Sequence, residues 1–145
     1  MGQMPGLSPC CGGTRRVTVS CCFDRGLERS RGPELPVAGE TCADGFGLSV
    51  HFSFAVRDSV IQVVMFRATT CVPLVAYCEL LAERVTGMTL RDAIRVQPGD
   101  LVRDLPEVPP ARWDRAALCV RALRSPIGRA VLLAPSSTLR EGGSS

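Results

Sequence analysis

Three residues in this chain have types and spacing suited to chemistry: Cys42, Asp44 and Cys71. In "ETCADGFG" (40–47), Cys42 and Asp44 stand two apart in a glycine-bounded loop. In "MFRATTCVPLVAYCELLAERVTGMTLRDA" (65–93), a short apolar strand runs into Cys71, and that cysteine opens a helix. Packing alone at that corner would be satisfied by Ala or Val. A helix N-terminus favours an anion, so a thiolate is more accessible there than in bulk water. Two thiolates with a neighbouring carboxylate make a soft donor set suited to iron, an iron–sulfur cluster or zinc.

Those residues act together only if the chain folds them to one place. "GFGLSVHFSF" (45–54) alternates and is rich in aromatic and β-branched residues, "VRDS" makes a turn, and "VIQVVMF" (60–66) is a second strand. The pattern predicts an antiparallel hairpin. Cys42 and Cys71 lie at its two ends, which a hairpin brings together at one edge of a sheet. After Cys71 the period changes: Leu74, Tyr77, Cys78, Leu81 and Val85 fall at helical spacing, and Gly87 stops the helix. Thr89 caps a short helix over 90–96, with Asp92 at its third position. Residues 98–105 hold a further turn and 106–110 are an extended breaker. A last helix starts near Pro110 and carries Trp113, Ala117, Val120, Leu123 and Ile127 on one stripe.

The flanks are less patterned. Residues 15–23, "RRVTVSCCF", alternate like a strand, 24–36 read as loop, and 135–145 as a frayed tail. The predicted fold class is α+β: a small antiparallel β-sheet packed against helices on one face. The organisation is a poorly patterned N-terminal segment (1–38), an α+β domain (39–133) and a flexible tail (134–145).

Composition narrows the function classes. The chain has 145 residues, enough for one modest core, and 46% are hydrophobic, which marks a globular chain. Aromatics make up only 5%, so the core is built from Val, Leu, Ala and Ile. The 17 basic residues, all Arg, are spread along the chain beside 14 acids, and the net charge is +3. No basic stripe marks a nucleic-acid surface. No apolar run reaches bilayer-spanning length, and the N-terminus lacks the apolar region of a secretory signal. The expected location is the cytoplasm, where the eight cysteines stay reduced and serve metal, catalysis or packing. Cys10–Cys11 and Cys21–Cys22 are adjacent pairs without metal-finger spacing. Cys78 reads as core packing and His51, the single histidine, as structural.

From residue 39 to 127 the sequence resembles the NifU/IscU-type scaffolds on which iron–sulfur clusters are assembled. "TCADG" (41–45) resembles their Cys-Gly-Asp loop, and "VIQVVMFRATTC" (60–71) is similar to their strand leading to the second cysteine. "LLAERVTGMTLRDAIRVQPGDLVRDL" (80–105) looks like their helix, Gly-Lys-Thr-Leu turn and following segment. "VPPAR", residues Val108, Pro109, Pro110, Ala111 and Arg112, resembles the stretch recognised by their dedicated Hsp70-type chaperone. Order and spacing match together, which makes the combination fairly specific.

The resemblance implies a carrier and not an enzyme. Cys42 and Cys71 would be ligands to an iron–sulfur cluster or iron, with Asp44 beside them keeping the cluster labile. It implies a cysteine desulfurase, the Hsp70-type chaperone and apo iron–sulfur acceptor proteins as partners, with a homodimer as one assembly. Two departures stand out. Where the family has a His-Cys pair after the Pro-Pro motif, this chain has Asp114 and Arg115, so the third cysteine is missing. Residues 1–38 show no counterpart of the family's N-terminal helix. Cys119, one helical turn beyond Arg115, and Asp114 are the candidates to replace the lost ligand, although Cys119 is in register with a core alanine of the family. Two other readings therefore remain: a cluster-free regulatory or adaptor relative that binds a desulfurase or chaperone, and a simple zinc- or iron-binding domain.

Overall fold

The computed structural model describes residues 18–133. Cys10–Cys11, the start of the strand expected over 15–23 and the tail expected over 135–145 lie outside these residues. The elements in chain order are α1 (Val19–Arg29), β1 (Val37–Ala38), β2 (Cys42–Ala43), β3 (Ser49–Arg57), β4 (Val60–Ala68), α2 (Val72–Val85), α3 (Leu90–Ala93), α4 (Pro98–Asp104), a 3-10 turn (Pro110–Arg112) and α5 (Asp114–Leu133). The class is the expected one, an antiparallel sheet of four strands with helices.

The β3–β4 hairpin turns on Asp58 and Ser59, whose φ values of 54° and 65° match the right-handed strand twist as a two-residue turn requires. Along its other edge β3 pairs antiparallel with two short pieces, β1 (Val37 opposite Phe54) and β2 (Cys42 opposite Val50). Their registers differ by one residue, so β1 and β2 act as one edge strand interrupted at 39–41. Val50, Phe52 and Phe54 of β3 and Ile61, Val64 and Phe66 of β4 are buried, and they join the buried residues of α2 and α5 in one core cluster.

α2 is apolar on nearly every side, and each residue from Leu74 to Ala82 is buried. Such a helix needs cover all round. Part of that cover comes from α1, which corrects the reading of 15–23 as a strand and of 24–36 as loop. The Thr18 hydroxyl caps α1 by accepting from the Cys21 amide at 3.2 Å, and Cys21, Cys22 and Gly26 are its buried residues. Alternation over five residues was a weaker signal than this cap. A helix is thus present in the segment where none was expected. Gly26 brings α1 close: a Cβ there would lie 2.6 Å from Val75 Cγ1 and 3.1 Å from the Val75 carbonyl oxygen. The contact is pinned by Arg29, which donates to both oxygens of Glu79 at 2.7 and 3.2 Å and to the Val64 carbonyl at 2.7 Å.

Other boundaries shift for local reasons. Residues 98–104 form a full helix, begun by Pro98 and closed by the Gln97 amide donating to Asp100 at 3.0 Å. The short helix begun at Thr89 ends at Ala93, not residue 96. Pro110 starts a 3-10 turn and α5 proper begins at Asp114. The buried stripe of α5 is Ala116, Cys119, Val120, Leu123 and Ile127, whereas Trp113 and Ala117 are exposed.

Because α1 and α2 approach within the space of a missing methyl group, Gly26→Ala should destabilise the fold by about 1–3 kcal/mol. Urea unfolding would measure it, and an unchanged midpoint would mean that α1 does not hold this position.

Candidate functional site

Cys71 is the N-cap residue of α2, with extended backbone (φ −139°, ψ 123°) and no side-chain cap bond of its own. It is a half-buried free thiol packed against the hydrophobic core. The β4 strand delivers it there: Ala68 pairs with Val50, and the Thr69 amide donates to the Ser49 carbonyl at 3.0 Å. On the other side of β3, Val50 also pairs with Cys42, likewise a half-buried free thiol. Cys42 and the strand end leading to Cys71 therefore share one row across the sheet.

Asp44 shapes the loop that follows Cys42. One carboxylate oxygen accepts from the Phe46 amide at 2.7 Å and from the Leu48 amide at 3.1 Å. Gly45 and Gly47, at φ 84° and 101°, supply the left-handed backbone this turn needs. These amides, the Phe46 amide foremost, pull the Asp44 carboxyl below its ordinary range. It is an anion whose first task is to hold the loop.

Arg115 links the two halves. Its guanidinium donates to the Asp114 carboxylate at 2.7 Å, and its side chain is only 18% exposed. Its charge acts on Cys71 and on Asp44. The Asp114 hydrogen bond raises its already high pKa, so the site carries a permanent cation where the resemblance places a third cysteine. Arg121 donates to the Ala43 carbonyl at 2.8 Å, and Ser125 Oγ accepts from the Glu40 amide at 2.9 Å. The start of α5 is thereby strapped to the Cys42 strand.

The candidates for a replacement ligand are placed differently. Asp114 is exposed at the start of α5 and is paired with Arg115. Cys119 is fully buried, with its sulfur 3.2 Å from that of Cys78 and 3.7 Å from the Leu74 carbonyl oxygen. Among the described residues no group of three or more His, Cys, Asp or Glu side chains is arranged to hold a metal ion. The two thiols Cys42 and Cys71 fit soft cargo, but a closed tetrahedral zinc site would need more donors than these. In the segment 108–112, Val108 is buried and Pro109, Pro110, Ala111 and Arg112 are exposed. Trp113 Nε1 donates to the Val108 carbonyl at 3.2 Å and fixes the segment's base.

Sequence reasoning missed an apolar rim. Phe46 (92% exposed), Val72 and Trp113 are exposed large hydrophobic residues, each within two positions of Asp44, Cys71 or Arg115. A phenylalanine between two glycines in a polar loop was the one available signal.

The family model for the NifU-like N-terminal domain matches residues 26–129. The chain belongs to this NifU-like family. No curated protein matches the sequence. Among solved structures, it is similar to a protein of the thermophile Fervidobacterium islandicum named as an iron–sulfur cluster assembly scaffold for the SUF system. The identity is 15%, with 68% of this chain and 90% of that one covered, at a TM-score of 0.50. An uncharacterised protein solved at 2.3 Å gives 15% identity, 76% and 98% coverage and a TM-score of 0.52. A nitrogen-fixing NifU-like N-terminal domain from Brucella abortus gives 16%, 72% and 92%, at 0.45. At these identities the first two likenesses are of fold. No helix among the described residues is long and apolar enough to cross a membrane.

If Asp44 acts first as the loop's cap, Asp44→Ala should speed hydrogen exchange at the Phe46 and Leu48 amides severalfold, and Asp44→Asn, which keeps the accepting oxygen, should not. Equal exchange in Asp44→Ala and the unaltered protein would remove that role.

Proposed function

We propose that this chain is an iron–sulfur cluster assembly scaffold, a carrier and not an enzyme, that holds a labile cluster or iron as cargo on Cys42 and Cys71 and passes it to acceptor proteins. The observation that carries this reading is the single row across the sheet shared by Cys42 and the strand end leading to Cys71, in a chain of the NifU-like family. Thiolates are the sulfur form that binds iron. The Arg115 cation offsets the negative charge that a thiolate-bound cluster brings. Asp44 contributes a carboxylate beside the cargo, a weaker neighbour for iron–sulfur chemistry than a thiolate, in keeping with a cargo that must leave.

Arg115 also sets how the cargo arrives. A guanidinium cannot carry a persulfide, so sulfur delivery by a cysteine desulfurase lacks its acceptor at this position. On this reading the protein takes up a preformed cluster, or iron. The exposed Pro109–Arg112 stretch is the surface offered to an Hsp70-type chaperone, and the apolar rim of Phe46, Val72 and Trp113 surrounds the point of transfer. The half-buried free thiols of Cys42 and Cys71 suit a reducing compartment such as the cytoplasm, whereas Cys21 is disulfide-bonded, against the expectation that all eight cysteines stay reduced.

One observation favours a second reading. Arg115 fills the third-ligand position and Asp44 is committed to its loop, as expected of a cluster-free adaptor that kept the fold and its docking surfaces.

Anaerobic reconstitution with iron and sulfide, followed by visible absorption and iron content, separates the two. The carrier should gain a cluster chromophore or bound iron, and Cys71→Ser should lose most of it. Equal iron in the unaltered protein and Cys71→Ser would remove the carrier reading and leave the adaptor. Restoring the family's residues with Asp114→His and Arg115→Cys together should raise desulfurase-dependent assembly severalfold over the unaltered chain. Equal rates would show that Arg115 is not the limiting substitution.

A further inference from the structure

Two sulfurs of the described free cysteines meet away from the candidate site, in the core. Cys78 of α2 and Cys119 of α5 are both fully buried, and their Sγ atoms are 3.2 Å apart. That gap exceeds the ~2.05 Å of a disulfide by only about 1 Å. The two residues are 41 positions apart in sequence, on helices that pack against each other. No ligand role suits them: the pair is closed off by Leu74, Tyr77 and Leu123 in the same core, and Cys119 Sγ is directed at the Leu74 carbonyl. A small hydrophobe at either position would pack as well.

From this geometry we infer that Cys78 and Cys119 form a redox modification site, a dithiol that oxidises to an intrachain disulfide clamping α2 to α5. The chemistry balances with a peroxide as oxidant. One thiol, as its thiolate, attacks a peroxide oxygen, the O–O bond breaks and a sulfenic acid forms with release of water. The second sulfur displaces the hydroxyl of that sulfenic acid, the S–S bond closes and a second water leaves. Two thiols and one hydrogen peroxide thus give one disulfide and two waters. A dithiol reductant reverses the step by exchange.

The placement gives the clamp a consequence. Cys78 lies two helical turns beyond Cys71 on α2, and Cys119 lies one turn beyond Arg115 on α5. The crosslink therefore sits behind the helix ends that carry Cys71 and Arg115 and fixes their separation. Burial also makes the reaction slow. It keeps the Cys78 thiol protonated, so oxidation waits for transient opening of the helix pair, while the less buried Cys42 and Cys71 react first. In a reducing compartment the bond is transient, forming under oxidant load and lost on recovery.

The test is peptide mapping of the full chain before and after exposure to hydrogen peroxide, with free thiols blocked under denaturing conditions and crosslinks assigned by tandem mass spectrometry. The expected product has lost two hydrogens and joins Cys78 to Cys119. The oxidised protein should unfold at a higher temperature, because the crosslink restricts the unfolded chain over a long loop. Dithiothreitol should reverse that shift, and Cys78→Ala and Cys119→Ala should each abolish it. Recovery of both residues as blocked thiols after oxidation would overturn the inference. So would their crosslinking to other cysteines, or a lowered unfolding temperature in the Cys78–Cys119 form.

Discussion

The fold depends on one constraint: α2 must be covered on every side. With Leu74 through Ala82 all buried, no single partner layer suffices. The sheet, α5 and α1 each take a sector. The one charged residue in that run, Glu79, makes the demand specific. Among the described residues Arg29 and Arg25 of α1 pair with its carboxylate, Arg29 through two hydrogen bonds. Removing one partner of such a buried pair costs about 3–5 kcal/mol, since the other is left without compensation. The N-terminal helix is thus part of the core.

The same constraint places the candidate site. A helix held from all sides has a fixed N-terminus, and Cys71 stands at it. The sheet brings Cys42 into the adjoining row through Val50, and α5 is tied to the Cys42 strand by Arg121 and Ser125. Arg115 enters between these supports and pairs with Asp114, its charge acting on Cys71 and Asp44. Replacing a thiol by a guanidinium at this point changes the sign of the charge. A site that would accumulate negative charge with a third thiolate is instead balanced by a cation.

The cysteines divide by environment. Cys42 and Cys71 are half-buried free thiols at the sheet's end. Cys22, Cys78 and Cys119 are fully buried; burial pushes the Cys22 thiol up to about 12, which leaves it inert as a nucleophile. Identical side chains are thus given different chemistry by solvent and by neighbours.

By itself the sequence determined the hairpin, the helix after Cys71, the stop at Gly87, the Thr89 cap and the α+β class. These rest on local rules, period and turn chemistry, that need no distant partner. It also carried the motif order that marks the NifU-like family. The α1 helix was illegible because its apolar face is short and carries a glycine, and it is fixed by Val75 and Glu79, about fifty residues away. The α5 stripe was misjudged by one position at Trp113 and Ala117, since periodicity gives a face but not which way it turns. Only the tertiary structure showed that Arg115 pairs with Asp114, that Asp44 spends its oxygen on two amides, and that Cys119 meets Cys78. Each of these depends on where long-range packing sets a side chain, and spacing along the chain does not encode it.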